Sequence, residues 1–344
     1  MNILVTGASG FLGQHLVERL VQGGHRVRAL ARTRPAGGAE GAVEWFTADL
    51  HDKDALRKAL AGVEVLYHLA GRVSFDPKDG PALHALHVQG TRELLAEAKE
   101  ARVGRVVLAS TSGTIAVSKE ERVATEADDY PIAVVGRWPY YLSKIYEEKL
   151  ALEYCRRHGI PLVVLNPSLL MGPGDARLSS TWTVLKFLNR EIPGMPSGGL
   201  SFVDVRDAAD AFAAALTRGE VYGRHLLGLN MSFREFFGRL ERLSGVSAPR
   251  LKLPPRINIW GARLLEKWAE QRGTEADLDS VSVEIAEHFF YLDSQKAERE
   301  LGFKARDPHQ TLQDTVADVL TRLPPEALPG TRGRLSAARS SAKV

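Results

Sequence analysis

The first strand-like run, "NILVTG", passes directly into "ASGFLG". Gly7, Gly10 and Gly13 therefore stand at a Gly-x-x-Gly-x-x-Gly spacing between a strand and a helix that ends at Gly23-Gly24. Glycine lets a turn tighten and lets the backbone approach a ligand, while a helix N-terminus offers free N–H groups and the positive end of a dipole. At the head of an α/β unit this arrangement points to a dinucleotide pyrophosphate, with a purely structural turn as the alternative. The cradle would comprise Gly7, Ser9, Gly10, Phe11, Leu12 and Gly13.

Short apolar runs then alternate with amphipathic stretches: "HRVRALA", "VEWFTADL" before 52–61, "VEVLYHLA" before 81–101, "RVVLAS", a helix from Pro139, and "PLVVLNPS". Such alternation predicts an α/β fold with a doubly wound parallel sheet covered on both faces. Residues 1–170 form the expected dinucleotide-binding domain, with a later strand and helix near 201–218 returning to it. Residues 171–322 read as mainly a smaller, mostly helical substrate lobe, with helices near 205–216, 232–243, 255–271 and 312–320. The segment 323–344 has few apolar residues and reads as a flexible, solvated tail.

Composition narrows the function classes. A hydrophobic fraction of 44% with 25% charged residues is that of an ordinary soluble protein, and a net charge of +3 argues against a nucleic-acid partner. No apolar run is long enough to span a bilayer and no secretory leader opens the chain, so a cytoplasmic protein without a membrane partner is expected. Its one cysteine, Cys155, lies inside the helix from Pro139 and reads as a packing residue.

The end of the second strand bears on the cofactor. NAD sites place a carboxylate on the ribose hydroxyls there, whereas NADP sites place arginine near the 2′-phosphate. This chain reads "ALARTRP", with Arg32 and Arg34, so NADP(H) is favoured over NAD(H). Asp49, followed by Leu50 at the end of the third strand, is placed to meet the adenine or to cap the next helix.

In "WPYYLSK", Pro139 suits the first position of a helix, which puts Tyr140 and Tyr141 in its first turn. Lys144 shares a face with either tyrosine, at i+4 from one and i+3 from the other, and geometry alone does not choose.

Together "TGASGFLG", "HLAG" (68–71), "STSGT" (110–114), Tyr140-x-x-x-Lys144, "NPSLLMGPG" (166–174) and "YLDSQKAERELGF" resemble the extended short-chain dehydrogenases/reductases of the NAD-dependent epimerase/dehydratase superfamily. The nearest flavour resembles the dihydroflavonol-4-reductase and hopanoid-associated sugar-epimerase-like branch. The resemblance implies a Rossmann domain and makes Tyr140 the acid/base, with Tyr141 as a neighbour lining the pocket. It implies Ser112 as the catalytic serine, with Thr111 the alternative if the register shifts by one and otherwise a residue of the substrate pocket. Leu69, Ala70 and Gly71 correspond to the segment along the cofactor ribose, and Asn166, Pro167 and Ser168 to the one beside the nicotinamide. Tyr140 and Lys144 would also touch the cofactor. Where many relatives carry an Asn that organises a proton path, this chain has His87. His84 and His87 do not suggest a metal, because no third ligand is spaced nearby. A homodimer through the helices at 81–102 and 139–158 is a further implication.

Reduction of a carbonyl needs a hydride on carbon and a proton on oxygen, and a phenol near the oxygen supplies the second. Lys144 and the helix N-terminus are expected to push the Tyr140 pKa down. Three functions compete: an NADPH-dependent carbonyl reductase or alcohol dehydrogenase, a sugar-nucleotide epimerase or dehydratase with retained NAD(P), and a non-catalytic dinucleotide sensor. A sensor has no need of Ser112, Tyr140 and Lys144 together. "STSGT" lacks the acid pair of the dehydratases, and residues 175–200 carry few cations for a diphosphate, namely Arg177, Lys186 and Arg190. The reductase is preferred, with a small-molecule ketone or aldehyde that is apolar or aromatic if Trp182 and its neighbours face the cleft.

Overall fold

The computed structural model describes residues 1–34, 42–192, 194–251 and 280–322. The expected helix near 255–271 and the tail at 323–344 lie outside the described residues.

Seven parallel strands form the main sheet: β1 (Asn2–Thr6), β2 (Arg26–Ala31), β3 (Val43–Thr47), β4 (Val65–His68), β5 (Arg105–Ala109), β6 (Leu162–Pro167) and β9 (Arg224–Leu227). Their order is β3-β2-β1-β4-β5-β6-β9, so the winding reverses between β1 and β4. Ligands of doubly wound sheets bind at that reversal, beyond the carboxyl ends of the strands. Every residue of β6 is buried, which fits a strand covered on both faces.

Helices α1 (Phe11–Gln22) and α8 (Val205–Ala214) cover one face, where Leu16, Leu20, Ala208 and Phe212 join one core with Ile3 and Val5. On the other face lie α2 (Lys53–Leu60), α4 (Thr91–Glu100) and α6 (Pro139–His158). α6 begins with Pro139 in its first turn and stops at Gly159, whose left-handed φ of 67° ends the helix without a Cβ penalty. Cys155 packs inside this second core, and burial pushes its thiol pKa up to about 12. Among the described residues, no helix is long and apolar enough to cross a membrane.

The expected 81–101 helix is interrupted. α3 (Gly80–His84) runs into a π-helical segment, Ala85–Gly90, before α4 begins. π segments concentrate at functional sites because they shift the face that a side chain occupies. Here the shift leaves His84 exposed and His87 buried.

A second, three-stranded sheet corrects one expectation. The strand near 201, β8 (Gly199–Asp204), does not return to the main sheet but pairs with β7 (Leu169–Met171) and β10 (Leu229–Ser232). α8, directly after it, does return, and β9 is the strand that extends the main sheet beside β6. Around the small sheet, α7 (Trp182–Leu188), α9 (Phe233–Ser244) and the helix Pro308–Arg322 share an apolar core with Phe187, Phe236, Phe237 and Val316. The side chain of Ser232 accepts from the Glu235 amide, which caps α9.

Candidate active site

A cleft of about 1650 Å³ runs from the glycine turn, past the carboxyl ends of β4, β5 and β6, to α7 and α9. Gly7 has φ +69°, and a Cβ there would lie 2.6 Å from the Leu69 carbonyl oxygen and the Ala70 nitrogen. At Gly13 a Cβ would lie 2.2 Å from the Gly7 oxygen. Gly10 precedes α1 with no side-chain cap, and the first turn of α1 holds no acidic residue. Open amides without a competing carboxylate fit a pyrophosphate, and Gly7, Ser9, Gly10, Phe11, Leu12 and Gly13 all line the cleft.

Arg32 is exposed on the cleft wall just after β2; Arg34 is exposed but does not line it. Leu69 and Gly71 line the cleft, as do Pro167 and Ser168. Asp49, Leu50 and Ala70, expected at the cofactor, are not part of the lining, and each is engaged elsewhere. The Asp49 carboxylate accepts from the His51 amide at 3.1 Å, while Asp52 caps α2. Leu50 is buried against Gly90, and the Ala70 amide donates to Thr6 Oγ1 at 3.3 Å.

Tyr140 and Tyr141 both line the cleft, with Thr111 and Ser112 opposite. Ser112 opens a short 3₁₀ turn, Ser112–Thr114, directly after β5. Tyr141 packs directly against that turn: a Cβ at Gly113 would fall 2.0 Å from its ring. Phe75, Trp138 and Phe290 enclose the Tyr141 ring, with centroids 5.5, 6.0 and 6.0 Å away. Tyr140 instead meets Phe75 and His87 edge to face, at 5.8 and 6.1 Å.

Lys144 corrects the expected electrostatics. Its ammonium donates to the Ala109 carbonyl at 2.8 Å and pairs with the carboxylate of Glu147. Among the described residues it has no hydrogen bond to the Tyr140 phenol. Rather than falling, the Tyr140 pKa is raised: burial disfavours phenolate and the Glu147 charge opposes it, against a hydrogen bond with Thr111. The lysine charge expected to favour phenolate is compensated one helical turn away, by Glu147.

His87 has both ring nitrogens engaged. Nε2 accepts from the Arg72 amide at 3.1 Å, so Nδ1 carries the proton and donates to Ser143 Oγ at 2.9 Å. Ser143 in turn donates to the Tyr140 carbonyl at 2.8 Å. Burial, followed by Lys144, drives the His87 pKa down to about 2. A neutral ring with both nitrogens bonded ties the 72–79 loop, which carries Phe75, to the tyrosine helix.

Glu148, also fully buried, gathers Ser110 Oγ at 2.5 Å, Asn166 Nδ2 at 2.9 Å, and the hydroxyls of Thr114 and Tyr130 at 3.1 Å. These bonds fasten α6 to the ends of β5 and β6 and so fix where Ser112 and Tyr140 face each other. Glu147, Glu148, Phe75 and the π segment were not singled out from sequence. Only the adjacency of Glu147 to the Tyr-x-x-x-Lys turn, at i+3 from Lys144, offered a signal.

The outer half of the cleft sets apolar side chains beside polar ones such as Ser179, Ser180 and Thr183. Leu200, Phe233, Phe237, Ile285 and Phe290 line it, and Trp182 stands at its wall half exposed with the Lys186 ammonium 5.5 Å from its ring centroid. Val184, Leu185, Phe187 and Leu188 of the same helix are core. Of the cations expected to matter for a diphosphate, Arg177 and Lys186 reach the lining and Arg190 does not.

Residues 3–227 match the family model described as the NAD dependent epimerase/dehydratase family. A putative dihydroflavonol 4-reductase of Synechocystis is 33% identical over 91% of this chain and 92% of its own length. Sterol demethylase protein B of Methylococcus capsulatus is 32% identical over 92% of this chain and 98% of its own. Among solved structures, gox2253 superposes with a TM-score of 0.79 at 30% identity, covering 93% of this chain and 98% of that one. The glycine cradle and the reversal of winding above it, together with these similarities, lead to one conclusion: the chain belongs to the NAD dependent epimerase/dehydratase family and is an NAD(P)-dependent oxidoreductase.

Proposed function

We propose that this oxidoreductase is an NADPH-dependent carbonyl reductase that acts on an apolar or aromatic ketone or aldehyde. One observation carries the reading: Ser112, Tyr140 and Lys144 share a single cleft with the glycine turn at one end and an apolar wall at the other. Bound cofactor would supply the hydride. The chain's own residues would do the rest: Ser112 and Tyr140 hydrogen-bond the substrate oxygen, and the Tyr140 hydroxyl delivers its proton as the carbonyl carbon is reduced. Solvent then reprotonates the phenolate. With its pKa raised by burial, the Tyr140 phenol is in its protonated form at neutral pH and so has a proton to give.

The NADPH preference rests on Arg32, which lines the cleft beyond β2. Exchange to Arg32→Glu is expected to raise KM for NADPH by roughly tenfold or more, since a charged hydrogen bond is worth about 1.5–3 kcal/mol, and to change KM for NADH little. Steady-state kinetics with both cofactors measures this, and equal effects remove the assignment.

The retained-cofactor epimerase reading is tested in the same preparation. Stoichiometric NADPH oxidation with a panel of hydrophobic ketones supports the reductase. Turnover confined to nucleotide sugars, with no net loss of NADPH, refutes it. We extend the proposal to a homodimer through α4 and α6, which a monomer in light scattering would remove.

A further inference from the structure

A directed hydrogen-bond chain ends at Glu147, a residue with no part in the reaction described above. Thr6 Oγ1 accepts from the amides of Leu69 and Ala70 at 3.2 and 3.3 Å, so its hydroxyl donates to His68 Nδ1 at 2.8 Å. His68 then carries its proton on Nε2 and donates to Thr91 Oγ1 at 2.8 Å. Thr91 donates onward to Glu147 Oε1 at 3.2 Å, and the Lys144 ammonium meets the other carboxylate oxygen. Thr6, His68, Thr91, Lys144 and Glu147 are all buried. Every donor points toward Glu147, and the Lys144 and Thr91 contacts oppose the burial that pushes its carboxyl pKa up.

We propose that Glu147 is a positioning residue of this site: it holds the Lys144 ammonium against the Ala109 carbonyl and offsets that charge at the Tyr140 phenol, so that the phenol ionises less readily than a lone lysine beside it would make it. The inference rests on Tyr140 being the acid of the proposed reaction. Ionisable and polar groups around the phenol come from every packed element. α6 supplies Lys144, Glu147, Glu148 and Tyr141; β4 supplies His68; the π segment and α4 supply His87 and Thr91; and the turn after β5 supplies Thr111. Burial holds both histidines neutral, with the His68 pKa lowered to about 3 and that of His87 to about 2. Glu148 is occupied by Ser110, Asn166, Thr114 and Tyr130. Burial is the largest cause of the raised Tyr140 pKa, and Glu147, the partner of Lys144, is the charge that adds to it.

The test is a pH titration of the cofactor-free full chain labelled with carbon-13 at tyrosine Cζ, followed by NMR. The Tyr140 resonance is identified by its loss in Tyr140→Phe. It should keep the phenol position up to about pH 11 in the parent protein, and move toward phenolate about one unit or more lower in Glu147→Gln. Thr91→Val, which removes one donor from Glu147, should move it the same way by less. Circular dichroism checks the fold, and if Glu147→Gln does not fold, Thr91→Val carries the test. Unchanged Tyr140 titration in the folded variants overturns the proposal. A merely structural glutamate would alter stability without moving that resonance. Because no substrate is turned over, this outcome is separate from failure of the reductase reading, which would appear as NADPH consumption indifferent to Tyr140→Phe.

Discussion

Tyr140→Phe is expected to lower kcat for carbonyl reduction by roughly a thousandfold, the scale on which a positioned general acid contributes, while NADPH affinity changes less than about twofold. Only a hydroxyl is removed. The ring keeps its edge-to-face contacts with Phe75 and His87, so the cleft keeps its shape. Stopped-flow turnover together with fluorescence titration of NADPH separates the two quantities. Tyr141→Phe is the matching control, with a loss within about tenfold, because Tyr141 is wedged against the Gly113 turn among Phe75, Trp138 and Phe290. Reversal of the two variants would transfer the acid to Tyr141.

Gly13→Ala should act through the backbone. Its new methyl would stand 2.2 Å from the Gly7 oxygen and 2.9 Å from the Ala8 Cα, and no side-chain rotation relieves either contact. The turn must open, at an overpacking cost of about 1–3 kcal/mol in stability. Loss of two charge-assisted amide contacts to a pyrophosphate, at about 1.5 kcal/mol each, corresponds to roughly a hundredfold weaker dinucleotide binding. Calorimetric titration and thermal melting measure both effects. Gly23→Ala is the comparison, since its Cβ would meet the His25 ring at 3.2 Å, a side chain that can turn away. If Gly13→Ala binds cofactor as tightly as Gly23→Ala, the glycine turn is not the cradle.

Much of the fold was readable along the chain because its cues are local. Apolar runs of strand length, Pro139 and Gly159 at the ends of α6, and glycines at positions 7, 10 and 13 each act within a few residues of themselves. The small sheet was not readable. "GLSFVD" is as apolar as a strand of the main sheet, and what places it beside β7 and β10 is pairing across more than 20 residues of intervening chain on either side. Such pairing leaves no periodicity to find.

The site divides in the same way. Residue type and spacing by themselves pointed to the glycine cradle and to a helix that carries Lys144 beneath two tyrosines, because those cues are local; the choice of Tyr140 and of Ser112 came from the family resemblance. Tertiary structure alone decided the environment of the phenol. Asp49 turns back to its own backbone, the π segment sends His87 inward, and Glu147 meets Lys144 beneath a roof of Thr91 and His68. Burial and charge pairing depend on which elements share an interior: burial raises the phenol pKa, and a buried partner offsets the influence that a lone lysine would have on its neighbour.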